Sequence, residues 1–188
     1  MNVTFGQKIP IMQCKVQNIR TKDFVPATVY EYDCRNKNDA YDIDEIDGYW
    51  IFKPQIFHQA KDKCSQPIKY QNTKIYSLET DKGETLGMMV TDKDGDNTDV
   101  DVLETKYMSG HKYVGTTLLS AAAQETLKRG DKKLTVKQPI PDVRAFYILG
   151  CGFKETNGRT LEIEKKELKN LIKRTEEKTQ TRLIDLKG

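Results

Sequence analysis

An α/β (α+β) fold, with a mixed and mostly antiparallel central sheet flanked by helices, is what three features of the 188-residue sequence predict. The first is a hairpin written twice in succession, with turns at Asp81-Lys82-Gly83 and at 92–96 (DKDGD), which gives three consecutive antiparallel strands. The second is the order that follows: a strand through Val100, Val102 and Leu103, a short loop with Gly110 and Gly115, then Val114, Leu118, Leu119, Ala122, Ala123 and Leu127 at helical spacing. A short strand comes next, giving the order strand, loop, helix, strand. The third is Asn157-Gly158, whose residue types suit the positive φ angles of a tight I′ turn and so predict a closing hairpin.

Composition narrows the class. A chain of this length supports one domain with a real core, and 37% hydrophobic with 31% charged residues predicts a compact domain with a generous charged surface. Thirty-one basic against 28 acidic residues leave a formal charge of +3, too little to predict avidity for nucleic acid. The charge is unevenly spread: residues 39–47 hold five acids and no base, residues 92–104 hold six acids and one lysine, and residues 165–187 hold eight bases and four acids. Acidic stretches beside a site favour a cationic amine over an anion. Cys14, Cys34, Cys64 and Cys151 form no close pair in sequence, which predicts reduced thiols, no zinc site and no disulfide framework. No stretch approaches the ~18 apolar residues of a membrane span, and residues 1–11 lack an apolar leader, so the expectation is a cytoplasmic protein.

Taken in order, residues 9–19 are modestly apolar and take no clear element. Residues 28–33 (TVYEYD) predict a strand, residues 39–47 an acidic loop or frayed helix, and residues 49–60 an aromatic segment in which Pro54 forbids one unbroken helix. Strands are predicted at 74–80, 84–91 and 98–105. The helix from Val114 ends at Lys128-Arg129-Gly130, with bases in the last turn and glycine after it. Leu134 and Val136 make a short strand, Pro139 and Pro141 stop it, and Asp142 is the expected N-cap of a helix to about Leu149. Strands at 153–156 and 159–164 flank Asn157-Gly158. Leu168, Leu171 and Ile172 then share one face of a charged C-terminal helix. The expected plan is a single domain over 1–164, its substrate side at 1–73 and its core at 74–164, followed by a charged tail at 165–188.

The loop 109–116 enters a helix whose first N–H groups have no intrahelical partner and whose start carries partial positive charge, so it suits a pyrophosphate. Leu103-Glu104-Thr105 together with His111-Lys112-Tyr113-Val114-Gly115-Thr116 resembles the acyl-CoA loop of the GNAT superfamily of N-acetyltransferases, which runs Arg/Gln-x-x-Gly-x-Gly/Ala into a helix. Arg144-Ala145-Phe146-Tyr147 and Gly152-Phe153 are similar to the same family's Ala-x-x-Phe-Tyr…Gly-Phe ending. Gly110 stands where the family has Arg or Gln, Tyr113 replaces its first Gly, and one extra residue separates Tyr147 from Gly152.

The resemblance implies the acyl-CoA N-acyltransferase fold, acetyl-CoA as co-substrate, and transfer of the acetyl group to a primary amine by direct attack. It implies a cofactor-binding set of Leu103, Thr105, Gly110, His111, Lys112, Tyr113, Val114, Gly115 and Thr116, the pantetheine pairing with backbone of Leu103 and Thr105. Tyr147 is the expected general acid toward the CoA thiolate, with Tyr113 as the weaker alternative, and Glu104 is the expected base. The acceptor is expected to be a small-molecule or peptide amine rather than nucleic acid, with no membrane partner and a homodimer left open. The rival readings are a non-catalytic acyl-CoA-binding or protein-interaction module and, encouraged by the basic tail, acetylation of aminoacyl-tRNA. No metal is expected: the Asp92, Asp94, Asp96 spacing puts Leu103 where a calcium loop needs its glutamate, and His58 and His111 stand alone.

Overall fold

A computed structural model describes residues 8–34 and 37–184. The strands are β1 (Lys8–Asn18), β2 (Phe24–Tyr32), β3 (Lys74–Thr80), β4 (Thr85–Asp94), β5 (Asn97–Thr105), β6 (His111–Lys112), β7 (Lys133–Lys137), β8 (Lys154–Thr156), β9 (Thr160–Glu164) and β10 (Arg182–Leu183). The helices are α1 (Lys37–Asp44), α2 (Lys53–Ser65), α3 (Val114–Arg129) and α4 (Lys165–Thr179). One sheet runs β10-β1-β2-β3-β4-β5-β7-β9-β8, with β6 also on β1. Among these pairings β5–β7 is parallel and the rest are antiparallel. The predicted fold class is the observed one.

Both sheet faces are covered, which explains why β3 and β4 are buried along nearly their whole length. On one face α3 and α4 pack through Leu118, Ala122, Leu168 and Leu171 against Met12, Leu78, Leu86 and Leu134. On the other, α1 and α2 bring Ile43, Trp50 and Ile56 against Ile75, Met88, Val90 and Val102. A glycine fixes how closely α3 approaches: a Cβ on Gly87 of β4 would stand 2.6 Å from Val114 Cγ1 and 3.2 Å from the Glu104 carbonyl. The start of α3 is thereby laid on the sheet beside the end of β5.

Several elements differ from the sequence expectation for local reasons. Residues 9–19, too mixed for a strand pattern, form most of β1 because β2 pairs along its length. Of the acidic stretch 39–47, residues 39–44 are helical in α1, with Ala40 and Ile43 fully buried. Asp142 does not cap: the turn Pro141–Val143 starts behind Ile140 with no side-chain cap, and the proline at the first position needs none. The extra residue after Tyr147 is absorbed by a π turn, Phe146–Cys151, closed by Gly152 at φ 86° and by Phe153 N–H donating to the Tyr147 carbonyl at 3.1 Å. Helix α4, predicted as a charged appendage, lies on α3, and β10 beyond it adds to β1. Residues 185–188 of the expected tail, like residues 1–7, lie outside the described residues.

Candidate functional site

Strand β5 is held along only part of its length. Its parallel pairing with β7 runs from Asn97↔Lys133 to Val100↔Val136 and stops. Beyond it Gln138 turns at φ 48° and Pro139 offers no N–H, so β7 cannot follow. The register of β5 against β4 also shifts there, Val90 facing Val102 and Thr91 facing Val100, which leaves Asp101 as one extra residue on β5. The bulge reverses the alternation: Val100 and Leu103 pack toward α3, whereas Val102 packs toward α2.

The two strands part into a cavity of about 250 Å³ lined by Val100–Leu103, residues 136–140, Val143 and Tyr147, with Phe52 and Gln55 of α2 on the remaining side. Lys106 N–H donates to the Leu86 carbonyl at 2.8 Å, so by strand alternation the main-chain groups of Leu103 and Thr105 point away from β4, into the gap. At its α3 end the helix begins at Tyr113, a non-glycine residue in the left-handed region at φ 71°. That conformation costs about 1 kcal/mol and turns the chain sharply into α3. Thr117 N–H reaches the Tyr113 carbonyl at 2.8 Å, while the N–H groups of Val114, Gly115 and Thr116 stand in the first turn without an intrahelical acceptor. Gly115 permits contact with the aromatic floor, since a Cβ there would meet Phe146 Cζ at 3.1 Å.

Of the loop residues singled out by sequence, the structure gathers Val114, Gly115 and Thr116 at the helix start. Ahead of it the backbone of His111 and Lys112 pairs with Asn18 and Gln17 of β1, and the Gly110 carbonyl accepts from Ile19 N–H at 2.7 Å. Tyr147 is 5% exposed, lies edge-on to Phe146 and Phe153, and lines the cavity. Burial pushes its phenol up to about 12, so it stays protonated at neutral pH.

Glu104 is tied to the segment that enters α2. Its two carboxylate oxygens accept from Ile51 N–H at 2.6 Å and Phe52 N–H at 2.9 Å, the unpaired donors at the start of α2. The carboxylate in the cavity wall is Asp101, which the sequence reading passed over. Desolvation, then the charges of Asp99 and Asp92, raise its carboxyl to about 6, and Lys137 opposes them. Asp101 is solvent-exposed by surface area, which limits the desolvation, whereas the like charges beside it remain. Lys137 is itself committed, its Nζ lying 2.6 Å from Asp94 and 3.1 Å from Asp99. The available signal was Asp99 and Asp101 interrupting the apolar residues of a central strand just before the glycine loop. Periodicity alone does not reveal that a bulge falls between them.

No family model matches the sequence, and no curated protein matches it. Solved structures do. An acetyltransferase of the GNAT family from Staphylococcus aureus Mu50 aligns with a TM-score of 0.52 at 10% identity, over 74% of this chain and 99% of its own. A protein from Desulfovibrio desulfuricans assigned to the same family gives 0.53 at 13%, over 73% and 98%. KacTA, solved in complex with DNA, gives 0.53 at 16%, over 69% and 91%. At these identities the likeness is one of fold, and the fold of this chain is that of the GNAT acyltransferases. Among the described residues no helix is long and apolar enough to cross a membrane, and no group of three or more His, Cys, Asp or Glu is placed to hold a metal ion.

Proposed function

We propose that the protein transfers an acyl group, acetyl in the first instance, from acyl-CoA to a primary amine in the gap between β5 and β7. The observation that carries this reading is the meeting of three things about the open end of β5: first-turn N–H groups of Val114, Gly115 and Thr116, main chain of Leu103 and Thr105 beyond the end of the β7 pairing, and Tyr147 in the cavity wall. The helix start holds the pyrophosphate through backbone donors and its partial charge, with the Lys112 side chain adding a point charge. Main chain of Leu103 and Thr105 pairs with the amide-bearing arm and aims the thioester along β5.

Asp101 takes a proton from the incoming ammonium, directly or through water, and sheds it to solvent; the neutral nitrogen attacks the thioester carbon; the C–S bond breaks as Tyr147 donates its proton to the departing thiolate, and the surplus proton on nitrogen returns through water to the Tyr147 oxygen. An amide and a free thiol result. Asp101 suits the base role because it lies in the cavity wall and ionises near pH 6, whereas both oxygens of Glu104 already accept hydrogen bonds. Glu104 therefore acts as a positioning residue for Phe52 at the cavity wall.

Calorimetry with acetyl-CoA and a thiol-release assay across a panel of amines test the proposal. Binding with thiol release is expected. Binding without release from any amine leaves an acyl-CoA-binding module, and absence of binding at high micromolar ligand removes the reading. Tyr147→Phe is expected to lower kcat by about 10² while leaving acetyl-CoA affinity unchanged; an unaltered kcat takes Tyr147 out of the mechanism.

A further inference from the structure

The cavity at the strand gap measures about 250 Å³, below the roughly 300–1,000 Å³ that encloses small-molecule ligands. An acceptor enters it by its amine-bearing tip only, and the rest of that acceptor rests on what surrounds the mouth. Large apolar side chains are exposed on both sides of it, among polar ones such as Gln55 and Gln138. Tyr49, Ile51 and Tyr107 are 70%, 65% and 66% exposed on one lip, and Ile140 and Val143 are 50% and 39% exposed on the other. Their placement follows from the site. Ile51 is tied to Glu104 next to Phe52, the Tyr49 ring meets Tyr107 edge-on at 6.3 Å, and Ile140 and Val143 line the cavity themselves.

Single exposed apolar side chains are ordinary, but several large ones on both sides of one mouth mark a contact surface. Asp101 lies between the lips, and the nearest cation, Lys137, is already paired with Asp94 and Asp99. The surface thus presents one carboxylate for an ammonium, surrounded by side chains that prefer apolar neighbours. A polyamine or a polyhydroxylated amine would leave those side chains in water, or would place its own polar groups against them at a desolvation cost.

Resting on the acyltransferase reading, we infer that the acceptor is a polypeptide. Its amine, a chain N-terminus or a lysine side chain, enters the cavity, and large apolar residues next to that amine lie on the two lips.

The test is thiol release at saturating acetyl-CoA with short peptides in two arms: a free α-amine without lysine, and a blocked N-terminus with one lysine. Each arm has Leu/Phe or Ser/Gly flanks, with spermidine and ethylamine alongside. In one arm the apolar-flanked peptide is expected to exceed its polar-flanked twin and both small amines in kcat/KM by roughly tenfold, the share of a partly buried apolar side chain. Ile51→Ser combined with Tyr49→Ser is expected to erase that preference by raising KM for the peptide. Both residues are exposed, so the thermal midpoint, the acetyl-CoA affinity and the rate with ethylamine should stay put. Equal or better turnover of spermidine or ethylamine, or an apolar preference that survives the double variant, overturns the inference and leaves the acyltransferase reading standing. Silence with every acceptor in a protein that binds no acetyl-CoA overturns both.

Discussion

The two halves of β5 differ more than any other adjoining stretches of the sheet. From Asn97 to Val100 the strand is fastened on both edges, to β4 and to β7, and side chains reinforce the join. Thr98 Oγ1 donates to Asp131 at 2.7 Å, Thr135 Oγ1 donates to Asp99 at 2.8 Å, and Lys137 closes on Asp99. From Asp101 to Thr105 the β4 side persists and the β7 side opens. The closed half supplies rigidity and the open half supplies unsatisfied main chain and a free carboxylate, so a single bulge divides support from chemistry.

The largest expected effect comes from disturbing the tight contact that seats the helix start on the sheet beside the open half. Gly87→Val places side-chain atoms where Val114, Leu118 and the Glu104 carbonyl already stand. Overpacking at such a site costs about 3 kcal/mol, and the displaced helix start loses acetyl-CoA affinity as well. Urea unfolding and calorimetry measure the two losses. A variant of normal stability would show that α3 has slack the packing does not reveal.

The next effect separates the two acids of the open half. Asp101→Asn is expected to lower kcat/KM by about 10² or more, and to abolish the inflection near pH 6 below which the wild-type rate falls. The sign follows from the raised pKa: as base, Asp101 is active when ionised, so activity is lost as pH falls through about 6. Glu104→Gln should do the reverse in kind. It keeps the shape but weakens the bonds to Ile51 and Phe52 N–H, costing about 1 kcal/mol of stability with less than a tenfold change in rate. If Glu104→Gln loses the pH 6 inflection and Asp101→Asn keeps it, the roles are exchanged.

These two carboxylates also show what the sequence could convey. Hairpin turns at Asp81-Lys82-Gly83 and Asn157-Gly158, the helix from Val114 and its Gly130 terminus were legible because each is set by residues within one turn of the chain; Asn157 and Gly158 indeed take φ 55° and 67°. The choice between Glu104 and Asp101 was not. It depends on which strand face each occupies, and that is set by a one-residue register shift against β4 and by helix α2, some 50 residues away. The same holds for His111 and Lys112, whose loop pattern fits phosphate but whose backbone is claimed by β1, a strand too mixed in composition to be placed from sequence.

The smallest expected effect is the most specific to the open half, because it reads Asp101 through stability and needs no substrate. The folded protein raises this carboxyl from 3.8 to about 6, so between those values the native state binds more protons than the unfolded chain. Stability from this group is full below about pH 3.8 and declines as pH rises to about 6, above which the ionised side chain is a standing cost. Asp101→Asn removes the titration. Its thermal midpoint should match the wild type at about pH 4 and exceed it slightly at about pH 7.5, the gap opening across the window in which the wild-type rate climbs. A functional carboxylate held at some expense to the fold predicts that pairing of a stability gain with a rate loss. A variant less stable than wild type at the higher pH would mean that Asp101 braces the bulge, and that its charge is satisfied by the closed half after all.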